Sequence, residues 1–105
     1  MLELIKNELK RNNNKLSKDF IDTVLFNKNT KIHHAKVGFS TRVCVITLPS
    51  GHELVGYAQV IDTKNDNELL GQEAAYNKAK EQIWTILGTI AKTLVNEVEN
   101  DKTNK

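Results

Sequence analysis

Thr41-Arg42-Val43-Cys44-Val45-Ile46-Thr47-Leu48-Pro49-Ser50-Gly51-His52-Glu53-Leu54-Val55-Gly56-Tyr57-Ala58-Gln59-Val60-Ile61 is the stretch that decides the fold. From Thr41 to Leu48 it is dense in β-branched residues, which suit a pleated surface, and reads as a strand. Pro49-Ser50-Gly51 supplies a tight turn, because Pro presets φ and Gly takes a positive φ without steric cost. Glu53 to Ile61 reads as the returning strand. It places Leu54, Gly56, Ala58 and Val60 on one face and Val55, Tyr57, Gln59 and Ile61 on the other. Both faces carry apolar groups, so part of the second face is expected to be covered too. Gly56, in mid-strand, predicts a bulge or the close approach of another element.

Toward the C-terminus, residues 62–67 form a polar connection with several N-cap candidates: Asp62, Thr63, Asn65, Asp66 and Asn67. From about Glu68 to about Val98 the period becomes helical. Ala75, Ala79, Trp84, Leu87, Ala91, Leu94 and Val98 form an apolar stripe flanked by Ile83, Ile90 and Val95, and Trp84 is read there as core. Gly88 costs about 1 kcal/mol relative to Ala in a helix interior. It predicts either a break in the helix or a close helix–helix contact. Residues 99–105 read as a disordered polar tail, leaving one domain over residues 1–98.

Toward the N-terminus, Leu2, Ile5 and Leu9 have helical spacing, and Arg11-Asn12-Asn13-Asn14-Lys15 reads as a loop. Leu16, Phe20, Val24 and Leu25 mark a second helix, with Ser17 as N-cap and Asp19 in its first turn. Ile32, Val37 and Phe39 belong to a short strand or to an ordered loop. The expected class is α+β: N-terminal short helices, then a β-hairpin or small antiparallel sheet packed on a long C-terminal amphipathic helix.

Length carries a further expectation. A helix of about 30 residues is roughly 45 Å long, whereas an eight-residue strand spans roughly 26 Å. The hairpin cannot cover the whole apolar stripe, and the N-terminal helix is expected to cover only some of the rest. Leu87, Ile90, Ala91, Leu94 and Val98 are therefore candidates for a homo-oligomer interface.

The bulk properties exclude several classes. At 105 residues, 39% hydrophobic and 27% charged, the chain fits one globular domain with a modest core. It has no apolar run of membrane-spanning length and no secretory pattern at Met1-Leu2-Glu3-Leu4, so a cytosolic location is expected. The single cysteine, Cys44, excludes an intrachain disulfide and reads as a small buried hydrophobe. Residues 1–52 carry nine Lys/Arg against four Asp/Glu, and residues 53–105 six against nine. Between Thr23 and His52 there is no acidic residue, while Lys28, Lys31, Lys36, Arg42 and three histidines are present. Such a segment attracts anions, or it faces the acidic half of the same or a neighbouring molecule.

No pattern for chemistry emerges. His33 and His34 are adjacent, so in a strand they point to opposite faces and make no two-ligand metal site. Ser40, Ser50 and Cys44 lie in no nucleophile motif, and the five glycines are scattered singly, without a phosphate-loop pattern. No enzyme, metal or cofactor is expected. Nucleic-acid binding is the weaker alternative: Phe39 or Tyr57 offers stacking, but only two arginines are present.

The run Val43-Cys44-Val45-Ile46-Thr47-Leu48-Pro49-Ser50-Gly51, followed by Gly56, Asn65 and Gly71, resembles the phage gene-product 49/66 family of small tailed-phage proteins. Ala75-Tyr76, Ala79-Lys80, Ile83-Trp84 and Gly88 continue the resemblance, which covers about residues 41–90. Two positions depart from it: His52 stands where the family commonly has Phe, and Gln72 where it commonly has Arg. The resemblance implies a phage or prophage gene acting in the host cytoplasm, and implies no reaction.

Two function classes follow. The first is an oligomeric sponge that sequesters a nucleotide signal of host defence, by analogy of activity only. Arg42 would clasp phosphate bidentately, Lys36 would add a point charge, and His33 or His34 would add hydrogen bonds. Asn65 and Gln72 stand at the helix entrance, where backbone N–H groups favour an anion. The second is a takeover factor that binds nucleic acid or a host protein.

Overall fold

The computed structural model describes residues 1–60 and 67–103, with side chains to residue 97. The chain runs α1 (Leu2–Arg11), α2 (Lys18–Leu25), β1 (Lys31–Val37), β2 (Thr41–Thr47), β3 (Glu53–Gln59), α3 (Glu68–Glu81) and α4 (Ile83–Thr103). The three strands form one antiparallel sheet in the order β1-β2-β3. The α+β class and the helix-on-sheet arrangement are as the sequence predicts.

The segment the sequence left open is a strand. The register runs from Lys31↔Thr47 to Val37↔Thr41, so β1 adds a third strand to the hairpin. Gly38 (φ +75) turns the chain between β1 and β2, and Gly51 (φ +89) turns it between β2 and β3. Gly56 lies opposite Cys44 in an unbroken register, so it is no bulge. Its role is close approach. A Cβ there would lie 2.9 Å from the Ala79 Cα and closer still to the Ala79 N and the Ala75 O. The absence of a side chain lets the backbone of α3 rest directly on β3.

Beneath α3 the sheet contributes Cys44, Ile46, Leu48 and Leu54, all essentially buried. Ala75, Ala79, Ile83, Leu87 and Ala91 line up at four-residue steps on α3 and α4 and are buried as well. Trp84 is one residue off that line, about 100° around the helix, and is 48% exposed. The expectation of a core Trp84 is thus corrected. The helix is not broken at Gly88 either. It bends at Gln82, between α3 and α4, where the Gln82 N–H bonds the Ala79 carbonyl at 3.2 Å in a tighter turn. The Gln82 carboxamide reaches back to the outer edge of β3. It accepts from the Val55 N–H (3.0 Å) and donates to the Val55 carbonyl (2.7 Å), covering part of the edge strand's outer side.

Asn67 caps α3 by accepting from the Leu70 N–H at 3.1 Å, and Ser17 caps α2 by accepting from the Phe20 N–H at 3.1 Å. Ser17 has a second task. Its hydroxyl donates to the buried Glu8 carboxylate (3.1 Å), which also takes a 2.6 Å ion pair from Arg11. Asn13 and Asn14 adopt left-handed backbone (φ 59 and 63), a conformation asparagine tolerates well, and so reverse the chain from α1 into α2.

The N-terminal helices then cover what the sheet cannot. Ile5, Leu9, Phe20, Ile21, Val24 and Leu25 join the same core as Ile83 and Leu87. Leu87 and Ala91 are therefore buried within the chain, while Ile90 and Leu94 are half-buried against this core. Val98 lies among the residues whose side chains are not described. The helix continues to Thr103, past the end near Val98 that the sequence suggests. Adding a residue to a formed helix costs far less than nucleating one. The molecule measures 65 × 22 × 20 Å with a radius of gyration of 17.3 Å, against about 13 Å for a compact chain of this length.

The second face of the sheet departs from expectation. Among the described residues, the element packed broadly on the sheet is α3, on the Gly56 side. The other face, with Val55 45% and Tyr57 57% exposed, has no covering layer among the described residues, only the Lys78 ammonium 5.6 Å from the Tyr57 ring centre.

Candidate functional site

The predicted anion residues fall into three groups. Arg42 and Lys36 are direct cross-strand partners, and His34 lies two residues along β1 on the same, helix-side face. Gly71, in the first turns of α3, seats the Arg42 side chain: a Cβ at Gly71 would lie 2.5 Å from the Arg42 Cδ and 2.8 Å from its Nε. Gln72 follows Gly71 and is half-buried; Gly71 sets the start of α3 on Arg42, with Lys36 beside it toward one end of the sheet and His34 at mid-strand. The Nδ1 of His34 is buried without a hydrogen-bond partner among the described residues. His33 is separated from this group, since it points to the opposite, exposed face. Asn65 lies outside the described residues.

Cys44 is fully buried opposite His34, and burial raises its thiol pKa above the ordinary 9.0. That disfavours the nucleophilic thiolate. Among the described residues no group of His, Cys, Asp and Glu is placed to hold a metal ion. No described helix is long and apolar enough to cross a membrane.

A second locus was not legible as such. A groove of about 440 Å³ runs along α4 beneath the α1–α2 connection, lined by Asn14, Lys15, Leu16, Trp84, Gly88, Ala91, Lys92, Val95 and Asn96. The asparagine reversal places Asn14 and Lys15 over one side. Gly88 leaves open floor one turn from the Trp84 ring, with no atom within 4 Å of where its Cβ would be. The lining residues are the half-exposed Trp84, two lysines, two asparagines and aliphatic side chains, with no Asp or Glu. Indole offers a stacking surface, lysines offer point charges for an anion, and carboxamides offer paired donors and acceptors. The sequence signal was Gly88 itself, a costly residue in mid-helix four positions from a tryptophan.

This groove and the Arg42 cluster are separate. Gly71 and Trp84 are 13 residues apart along α3 and α4, or about 20 Å of helix.

Comparison with known proteins adds one match. The family described as Phage protein (N4 Gp49/phage Sf6 gene 66) matches residues 12–95. Neither the curated proteins nor the solved structures gave a match.

Proposed function

Given that the chain belongs to the N4 Gp49/phage Sf6 gene 66 family of phage proteins, we propose that it is a non-enzymatic binding module for a nucleotide-class ligand, acting in the host cytoplasm. The observation that carries this reading is the groove at Trp84. Its volume falls within the range of small-molecule sites, about 300–1,000 Å³. A base stacks on the indole, phosphate is held by Lys15 and Lys92, and Asn14 and Asn96 read polar edges. Capture of this kind sequesters a signal without chemistry, which is what a sponge against host antiviral defence requires. Homo-oligomerisation belongs to the same reading, favoured by the elongated shape.

A screen by thermal shift against cyclic di- and trinucleotides and ADP-ribose derivatives tests the proposal. Ligand at 100 times Kd stabilises by about 2.7 kcal/mol, which raises Tm by on the order of 10 °C in a domain of this size. The shift is expected to vanish in Trp84→Ala and to persist in Arg42→Ala. The reverse pattern moves the site to the Arg42–Lys36–His34 cluster. No shift with any compound overturns the nucleotide reading.

A second reading has its own support. Phe39, 90% exposed, stands at the β1–β2 turn between Lys36 and Arg42. An exposed ring between two cations suits single-stranded nucleic acid. Salt-sensitive retardation of RNA or DNA that is lost in Phe39→Ala would favour it.

A further inference from the structure

The uncovered face of the sheet has an order that identifies its occupant. Four rows cross it from β1 through β2 to β3: Lys31–Thr47–Glu53, His33–Val45–Val55, Ala35–Val43–Tyr57 and Val37–Thr41–Gln59. The two middle rows are mainly apolar, with Val55 and Tyr57 about half exposed. The first row ends in opposite charges, Lys31 on one edge strand and Glu53 on the other. They lie two strand spacings apart, about 9.6 Å, on either side of Thr47. Among the described residues neither is in an ion pair.

We propose that this face binds a second copy of the chain, sheet to sheet, about a two-fold axis parallel to β2. That rotation keeps each row at its level and exchanges the edges, so β1 of one protomer lies over β3 of the other. Lys31 then meets the partner's Glu53 twice, His33 meets Val55, Ala35 meets Tyr57, and Val43 and Val45 meet their own copies. Aligned sheet packing at about 10 Å suits such a layer. A two-fold contact must be self-complementary, and a Lys/Glu pair in one row at opposite edges meets that condition. The footprint, about 14 Å by 23 Å or roughly 330 Å² of sheet, puts the contact among small, reversible interfaces. The helix residues Leu87 and Ala91 are not needed for it.

Sedimentation velocity from about 10 μM to about 1 mM, a range suited to weak association, tests the proposal. The wild type should pass from an 11.9 kDa monomer to twice that mass as concentration rises. Val45→Glu should remain monomeric with an unchanged circular dichroism spectrum, because Val45 faces away from the core. Lys31→Glu alone and Glu53→Lys alone should each weaken self-association about tenfold or more, since each sets like charges face to face. An equimolar mixture of those two variants should recover the dimer as a heterodimer, and so should the double variant K31E/E53K. A wild type that stays monomeric throughout overturns the proposal. So does a dimer that survives Val45→Glu, or a mixture that associates no better than its components.

Discussion

Replacing Gly56 by Ala, beside the same substitution at Gly88, tests how the sheet and the long helix meet. At Gly56 the new methyl would sit 2.9 Å from the Ala79 Cα and nearer to the Ala79 N and the Ala75 O. Carbon atoms pack at about 3.5–4.0 Å, so α3 must lift by roughly half an ångström or more along its most buried face. Overpacking usually costs about 1–3 kcal/mol. Here the obstacle is backbone, with no rotamer to yield, so a loss of about 3 kcal/mol is expected. Tm should fall by roughly 10–20 °C. At Gly88 nothing lies within 4 Å of the added methyl, and Ala gains about 0.8–1.0 kcal/mol of helix propensity. Gly88→Ala should therefore stabilise the fold by about 0.5–1 kcal/mol. Urea unfolding of the three proteins decides the matter, compared through midpoints at constant slope. A Gly56→Ala variant within about 1 kcal/mol of wild type would refute the close-approach argument, and a destabilised Gly88→Ala would refute the open-floor argument.

Other predictions follow from single contacts. Gln82→Ala removes both hydrogen bonds to Val55 and should cost about 1–2 kcal/mol; faster amide exchange at Val55 and greater aggregation would mark the exposed edge. Ser17→Ala loses the α2 cap and one of the two donors to buried Glu8, for about 2 kcal/mol in thermal or urea unfolding. Gly88→Ala, though stabilising, should weaken ligand capture because its methyl enters the groove, as calorimetric titration would show. Burial raises the Cys44 thiol, and it raises Tyr76 with smaller contributions from Cys44 and Asp22. Both groups keep their protons to higher pH in the folded state than in the unfolded one. Stability should accordingly hold below about pH 9 and decline as pH rises beyond the ordinary thiol value of 9.0. Native Cys44 should resist a thiol reagent at neutral pH and react on unfolding.

Local chemistry made much of the fold legible. The turn at Gly51, the strand-to-helix change of period and the caps at Ser17 and Asn67 each rest on residues within one or two turns, whereas Gly56 leaves a bulge or a close approach open until Ala75 and Ala79 are placed against it. β1 was harder to read because Lys31-Ile32-His33-His34-Ala35-Lys36-Val37 has no clean alternation, and its state is set by pairing with β2. The bend at Gln82 was hidden for a similar reason: the side chain at that point is engaged with Val55, 27 residues away. Trp84 misled because an apolar residue near a stripe looks buried until the four-residue steps through Ile83 are fixed. The Arg42–Lys36 pair was foreseen as residue types and is now a cross-strand pair seated on Gly71. The groove joins residues 14–16 to residues 84–96, and no local pattern reports a contact of that range.

Trp84 is the chain's only tryptophan, so its fluorescence reports on the groove without labelling. Titration with each member of the nucleotide panel, corrected for absorbance with free tryptophan amide, is the most direct test of ligand capture. Saturable quenching by at least one nucleotide is expected, with a midpoint raised about tenfold or more in a Lys15→Ala/Lys92→Ala variant. Fluorescence that stays unchanged, while calorimetry shows a nucleotide binding elsewhere or none binding at all, would contradict it.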